Sequence, residues 1–305
     1  MADGRRVRPY AKAVVRVKRE TFAAMAQSQI PTIEISPPRA LEPLNIRELW
    51  HSRGMLYFLA IRDIKVRYRQ TILGVLWAVL QPLVTMLIMT IVFSKIAQVK
   101  TGNIPYPLFA FTALLPWQLF ASCLTRISQS VVTDQSLVTK VYFPRLILPM
   151  AAVVAGTVDF CFGFLVLLGL MAWYHYLPGP KILLLPVLML LAMLSSFAVG
   201  TWIAALNTRF RDFGLLVPLI IQVWLFLTPI AYPLSLVRKS APHWLYFIYT
   251  LNPVAVIVEF SRWIILGMAP PILLPSMLSV AAVIILLISS IYFYKKQADL
   301  FADFV

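Results

Sequence analysis

A chain of 305 residues that is 60% apolar and only 13% charged is excluded from the ordinary soluble class, where roughly a quarter of residues are charged. Its net charge of +15 would suit a nucleic-acid binder, but 14 of the 27 Lys and Arg residues precede Thr71 and flank a long apolar remainder, which points to a membrane surface and away from nucleic acid. Cys123 and Cys161 both fall in apolar segments, so they form neither a disulfide framework nor a metal-ligand spacing.

Residues 1–45 are basic and then punctuated by Pro31, Pro37, Pro38 and Pro43. This segment reads as a disordered cytoplasmic tail leaning on anionic lipid. Residues 46–70 carry Trp50, Tyr57, Ile61, Ile64 and Tyr68 at helical spacing, with Arg62, Asp63, Lys65, Arg67 and Arg69 on the remaining faces. The pattern predicts an amphipathic helix in the headgroup plane, its cations toward lipid phosphate and Asp63 and Arg67 paired one turn apart.

Charge disappears after Gln70 and recurs only at Lys95, and further charge-free runs cover 101–125, 160–180, 182–208, 213–237 and 263–294. A helix crossing a ~30 Å hydrocarbon core needs about 20 residues. These runs predict an all-α polytopic membrane protein whose transmembrane domain, 71–297, has six spans near 71–94, 107–125, 146–174, 182–206, 213–236 and 272–294. With the N-terminus inside, 21 Lys and Arg residues fall on the inner side and 6 on the outer. Positive charge is retained on the cytoplasmic side, so both termini, including the short tail 298–305, are expected in the cytoplasm. Between the last two spans, residues 238–266 are too apolar for a solvated loop yet hold Arg238, Lys239, Glu259 and Arg262. They predict two short re-entrant helices near 242–251 and 253–266, broken at Asn252-Pro253, because irregular backbone at membrane depth survives only when buried in protein or lining a wet cavity.

Little chemistry is legible. No Gly precedes Lys-Ser or Lys-Thr, so a phosphate-binding loop is missing, and His51, His175 and His243 are scattered. The one ionisable residue inside a predicted span is Asp159. It reads either as a proton or hydroxyl-binding group in a conduit or as a carboxylate satisfied by its neighbours; an acid without an intramembrane base makes a poor proton relay. Aromatic side chains gather toward the outer ends of the spans, among them Tyr106, Trp117, Trp173, Tyr174, Trp224 and Tyr232. They suit an interfacial belt or, facing a pore, flat surfaces along which sugar rings slide.

RDIKVRYRQTILGVLWAVLQPL (62–83), KVYFPRLILPM (140–150), ALNTRFRDF (205–213), TPIAYP (228–233) and LNPVAVIVEFSRWIILGMAPP (251–271) resemble, in order, blocks of the polysaccharide-exporting ATP-binding-cassette permeases, exporters of the second ABC type. The resemblance covers about 46–297. It implies a homodimer of six-span subunits in the bacterial inner membrane, with two copies of a separate ATPase subunit beneath. No cofactor is expected in this chain, ATP and Mg belonging to that partner, and the chain itself would not be an enzyme. The implied cargo is a lipid-linked polysaccharide: O-antigen, capsule or teichoic acid. The segment 128–145 resembles the cytoplasmic gate or coupling helix, making Asp134, Lys140, Tyr142 and Arg145 candidate ATPase contacts. The conduit would be lined by Tyr106, Trp117, Asp159, Trp173, Tyr174, Trp224 and Tyr232. The re-entrant pair would close the exit, with Asn252, Pro253, Glu259 and Arg262 at its centre and the last two an ion pair. A drug or lipid exporter of the same architecture, and an intramembrane enzyme or ion-coupled carrier, are the competing readings.

Overall fold

The computed structural model of the protein describes residues 46–69, 74–240, 242–298 and 301. These belong to one unit, Pro43–Val305; the tail read at 1–45 lies outside the described residues, as does the start of the first span at Thr71. Among the described residues all regular structure is helical. In chain order it comprises α1 (Ile46–His51), α2 (Arg53–Arg69), α3 (Leu76–Met89) continuing as a π-helical stretch Thr90–Ile96, α4 (Tyr106–Thr133), α5 (Gln135–Lys140), α6 (Ile147–Trp173), a 3-10 segment Pro180–Leu184 leading into α7 (Leu185–Arg209), α8 (Asp212–Phe226), α9 (Leu234–Ser240), α10 (His243–Leu251), α11 (Pro253–Leu266) and α12 (Leu273–Ala298).

Among the described residues, five stretches are long and apolar enough to cross a membrane: Leu76–Ile96, Tyr106–Thr133, Ile147–Trp173, Pro180–Arg209 and Leu273–Ala298. The chain is a multi-pass membrane protein. The predicted fifth span, 213–236, is instead broken into α8, an irregular TPIAYP segment and α9. α8 has 15 residues, a rise of about 22 Å at 1.5 Å per residue, so by length alone it falls short of the hydrocarbon core. Pro229 and Pro233 explain the break, since proline lacks the N–H that continues a helix.

α4 is the central helix. Leu108, Phe109, Ala110, Phe111, Thr112 and Ala113 in its N-terminal half are all buried, which requires neighbours on every side. α6, α7, α8, α11 and α3 supply them. Close approach is possible because the facing positions are small. A Cβ on Gly156 would stand 2.5 Å from Cys123 Sγ, one on Gly163 2.6 Å from Leu115 Cδ1, and one on Gly200 2.7 Å from Ile127 Cγ2. Small residues at helix crossings are how membrane helices gain packing without a hydrophobic driving force.

Pro116 lies inside α4 and cannot donate to the carbonyl of Thr112 four residues earlier. The Ser261 hydroxyl of α11 donates to that carbonyl at 3.1 Å. A helix defect thus becomes an attachment point for the segment read as re-entrant. At the opposite end, a second core joins Leu59 and Ala60 of α2, Val131 of α4, Val138 of α5, Phe143, Ile147 of α6, Ala204 of α7, Tyr294 of α12 and Phe301. The C-terminal ends of α4 and α7, the N-terminal end of α6, the C-terminal end of α12, α2 and the α4–α6 connection therefore form one packed unit.

Candidate functional site

The corner where α2 meets α4, α5 and α6 shows why α2 is more than a membrane float. Its buried residues are Leu59 and Ala60, whereas Trp50 and Tyr57 of the predicted apolar stripe are exposed. Trp50 of α1 and Tyr57 and Phe58 of α2 face outward, while Tyr68 of the same stripe turns toward the protein, edge-on to Phe162. The cations follow the same division. Lys65 and Arg69 are exposed. Arg62 turns inward, where its Nη2 donates to Asp63 at 2.7 Å and to Asp134 at 2.8 Å. Hydrogen bonding to Asp134, more than the neighbouring Asp63, holds this guanidinium above its already high ordinary pKa.

The expected Asp63–Arg67 pair is not formed. Arg67 Nη1 instead donates to Asp159 Oδ2 at 2.6 Å, Arg126 Nη2 of α4 donates to the same oxygen at 3.1 Å, and the Tyr68 hydroxyl donates to Oδ1. Burial first, and then the carboxylate beside it, push the Tyr68 phenol well above its ordinary pKa, so it stays a donor at any physiological pH. Asp159 is thus the carboxylate satisfied by its neighbours, and the neighbours are side chains of two other helices. Arg126 and Tyr68 were not among the expected site residues. The signal for them was a buried acid in one span, with Arg126 just past the end of another and Tyr68 beside Arg67, since a charge at such depth demands a partner.

The α4–α6 connection is shorter than the predicted 128–145, because residues 128–133 are the last turns of α4, with Ser128, Ser130 and Val131 buried. What remains is Asp134, α5 and an extended run to Pro144. Its candidate contacts divide in two. Asp134 is buried against Arg62, and Arg145 Nη1 donates to Val138 O at 2.6 Å while its guanidinium lies 5.7 Å from the Phe143 ring centre. The Tyr294 hydroxyl donates to Arg145 O at 3.2 Å. Asp134 and Arg145 therefore brace the segment from within. Lys140, Val141 and Tyr142 are exposed, as are Gln135, Ser136 and Thr139, and Tyr142 stands out at 75% of full accessibility.

At the other end, helices occur at His243–Leu251 and Pro253–Leu266, separated where Asn252-Pro253 was expected to break them. Asn252 Oδ1 caps α11 by accepting from Val254 N at 3.1 Å, and Pro253 occupies the first turn, where a missing N–H costs nothing. The same Oδ1 accepts from Trp224 Nε1 at 2.9 Å, and Nδ2 donates to Leu227 O at 3.1 Å. One side chain therefore ties the end of α8 to the junction. Gly267, at φ +65°, ends α11 in the left-handed conformation that glycine adopts without strain.

Arg262 is completely buried. Its Nη1 donates to Pro229 O at 2.7 Å and to Glu259 Oε1 at 3.0 Å, its Nη2 donates to Ile230 O at 2.7 Å, and its guanidinium lies 3.7 Å from the Phe109 ring centre. The predicted ion pair with Glu259 is present, and the larger task of Arg262 is to satisfy the carbonyls of the TPIAYP segment. Tyr106 assists by donating to Ala231 O at 2.8 Å.

This geometry sorts the aromatic candidates. Tyr106 and Trp117 are each 5% exposed, sealed inside the subunit, so neither ring can line a conduit in this conformation. An apolar helix with no polar face gives no hint of which side points inward. Trp224 is half-buried, 5.0 Å from the Phe120 ring centre, and Tyr232 donates to Phe226 O at 3.2 Å and contacts the Tyr249 hydroxyl at 2.9 Å. Trp173, 79% exposed, and Tyr174 are the freest. Among the described residues no group of His, Cys, Asp and Glu could hold a metal ion.

Against known families, residues 55–266 match the ABC-2 type transporter family. The chain belongs to that family. It is 31% identical over 258 residues to the O-antigen export system permease protein RfbA of Myxococcus xanthus, covering 85% of this chain and 98% of that protein. It is 28% identical over 205 residues to the protein of the same name from Klebsiella pneumoniae, covering 67% and 77%. It is also 25% identical over 209 residues to the polysialic acid transport protein KpsM of Escherichia coli, covering 67% and 78%. The resemblance drawn from the five sequence blocks holds, and Arg62, Arg67, Arg126, Asp134, Asp159 and Arg262 lie within the matched ABC-2 region.

Proposed function

We propose that this chain is the permease subunit of an ATP-driven exporter that moves a lipid-linked polysaccharide, with O-antigen favoured over capsule or teichoic acid, from the cytoplasm to the outer side of the bacterial inner membrane. The observation that carries the reading is the similarity to an O-antigen export permease over 98% of that protein's length. Two subunits pair around a conduit, each coupled to one copy of a separate ATPase, with both termini cytoplasmic. α8 with the TPIAYP segment completes a sixth span, and α10 and α11 dip back from the outer face.

The geometry suggests how force would travel. The exposed Lys140–Tyr142 surface meets the ATPase. Arg145 and the Asp134–Arg62 contact make α5 and α2 move together, and Arg67 carries that movement to α6 through Asp159. Exposed Trp173 and Tyr174 are the strongest remaining candidates for contact with a sliding glycan. Drug or lipid export is not favoured, since the relatives named above are glycan permeases.

Cells lacking this chain are expected to accumulate a glycan on its carrier lipid inside the cytoplasmic membrane while surface glycan disappears. Extraction of carrier-linked glycan with surface labelling by sugar-specific probes reads both. Unchanged surface glycan with no internal build-up would contradict the assignment.

A further inference from the structure

The Arg67–Tyr68–Asp159–Arg126 cluster holds more donors than its acid can use. Asp159 contributes one negative charge against two guanidinium groups, and both bond the same oxygen. Each guanidinium has five N–H donors, so most remain uncommitted to Asp159. Arg126 Nε is shut off from solvent and has no acceptor among the described residues. Buried polar groups are rarely left so, because each costs desolvation without return, and this one belongs to a charged group. The uncommitted N–H donors of the two guanidinium groups would be met together by a group that carries several oxygens.

Position narrows what that is. Arg126 lies seven residues from the inner end of α4, about 10 Å along its axis. α2 ends at Arg69 and the first charge-free helix begins at Leu76. The cluster therefore sits where the polypeptide passes from charged to uncharged sequence, which is the inner headgroup plane. Arg67 keeps 38% of its side chain exposed, and the exposed Lys65 and Arg69 extend the positive field from the same helix. Arginine pairs are suited to phosphate because the planar fork bonds two oxygens at once.

We infer that Arg67, Arg126 and Tyr68 form a binding site for the phosphate of an inner-leaflet amphiphile, with Asp159 as the resident counter-ion that the phosphate displaces or joins. Such a ligand is the headgroup of a bulk anionic phospholipid or the diphosphate of a carrier lipid; the second source rests on the export reading above. Occupation weakens the Arg67–Asp159 contact, so the site would free α2 from α6 when a phosphate-bearing lipid arrives.

The test uses the full-length chain in phosphatidylcholine nanodiscs, with radiolabelled farnesyl diphosphate as probe and thermal unfolding followed in parallel. Arg67→Gln and Arg126→Gln are each expected to weaken binding by about tenfold. Asp159→Asn is expected to tighten it by roughly threefold or more, because it removes the competing charge. A purely structural Asp159 would instead lose stability with no gain in affinity. Should Arg126→Gln fail to fold, Arg126→Lys and Asp159→Asn carry the comparison. Competition by short-chain phosphatidylglycerol assigns the site to bulk headgroups; lack of it, with farnesyl diphosphate bound, assigns it to a carrier diphosphate. Equal affinity in wild type, Arg67→Gln and Asp159→Asn would overturn the inference, as would equal competition by farnesol or by inorganic pyrophosphate. Because binding is read without transport, failure here leaves the export reading intact, and failure of export leaves a measured site in place.

Discussion

Arg262→Met is expected to remove most of the protein from the membrane. Methionine roughly preserves the stem but leaves the carbonyls of the buried Pro229 and Ile230 without a donor and the part-exposed Glu259 carboxylate without its partner. Breaking a buried pair by deleting one partner costs about 3–5 kcal/mol, a large share of the stability of a typical domain. Arg262→Lys should rescue little, since a single ammonium cannot reproduce the planar fork that serves both nitrogens. Glu259→Gln should be milder, because the carbonyl contacts persist. Membrane abundance and thermal unfolding in detergent read the series. Wild-type values for Arg262→Met would show that the TPIAYP segment holds itself.

The second large effect is a separation of roles within the α4–α6 connection. Lys140→Glu combined with Tyr142→Ala should abolish co-purification of the ATPase while permease abundance stays at the wild-type level, since both side chains are exposed and neither belongs to the contacts that brace the segment. Arg145→Glu should lower abundance first, because it breaks the bond to Val138 O and places a carboxylate against that carbonyl. Detergent pull-down with quantified permease distinguishes the two. If Lys140→Glu with Tyr142→Ala leaves co-purification intact, the partner touches another surface.

How much of this could be read beforehand depended on whether the signal was local. The bounds of α10 and α11 were legible because Asn252, Pro253 and Gly267 punctuate the backbone by their own conformational preferences. The Glu259–Arg262 pair was legible for the same reason, being one turn apart on one helix. The partners of Asp159 were not, because Arg67 and Arg126 stand 92 and 33 residues away and only the packing of α2, α4 and α6 brings them together. Tyr106 and Trp117 looked like conduit aromatics because α4 is apolar all round; a helix buried on every side carries no moment to show where a pore would be. The extent of α4 was underread for a related reason. Polar Ser128 and Ser130 suggested a connection, but their hydroxyls donate to carbonyls of their own helix, at Thr125 and Ile127, which lets them sit buried in a continuous helix.

The central claim is that this subunit supplies a path through the membrane and no engine of its own. It is tested most directly by reconstituting the purified chain into liposomes with and without its ATPase and following protection of a fluorescent carrier-linked glycan from an added glycosidase. The account predicts no ATP hydrolysis and no movement with the chain alone, and ATP-dependent movement once the ATPase is added. Hydrolysis by the chain alone, or glycan transfer driven by a proton gradient without the ATPase, would contradict it.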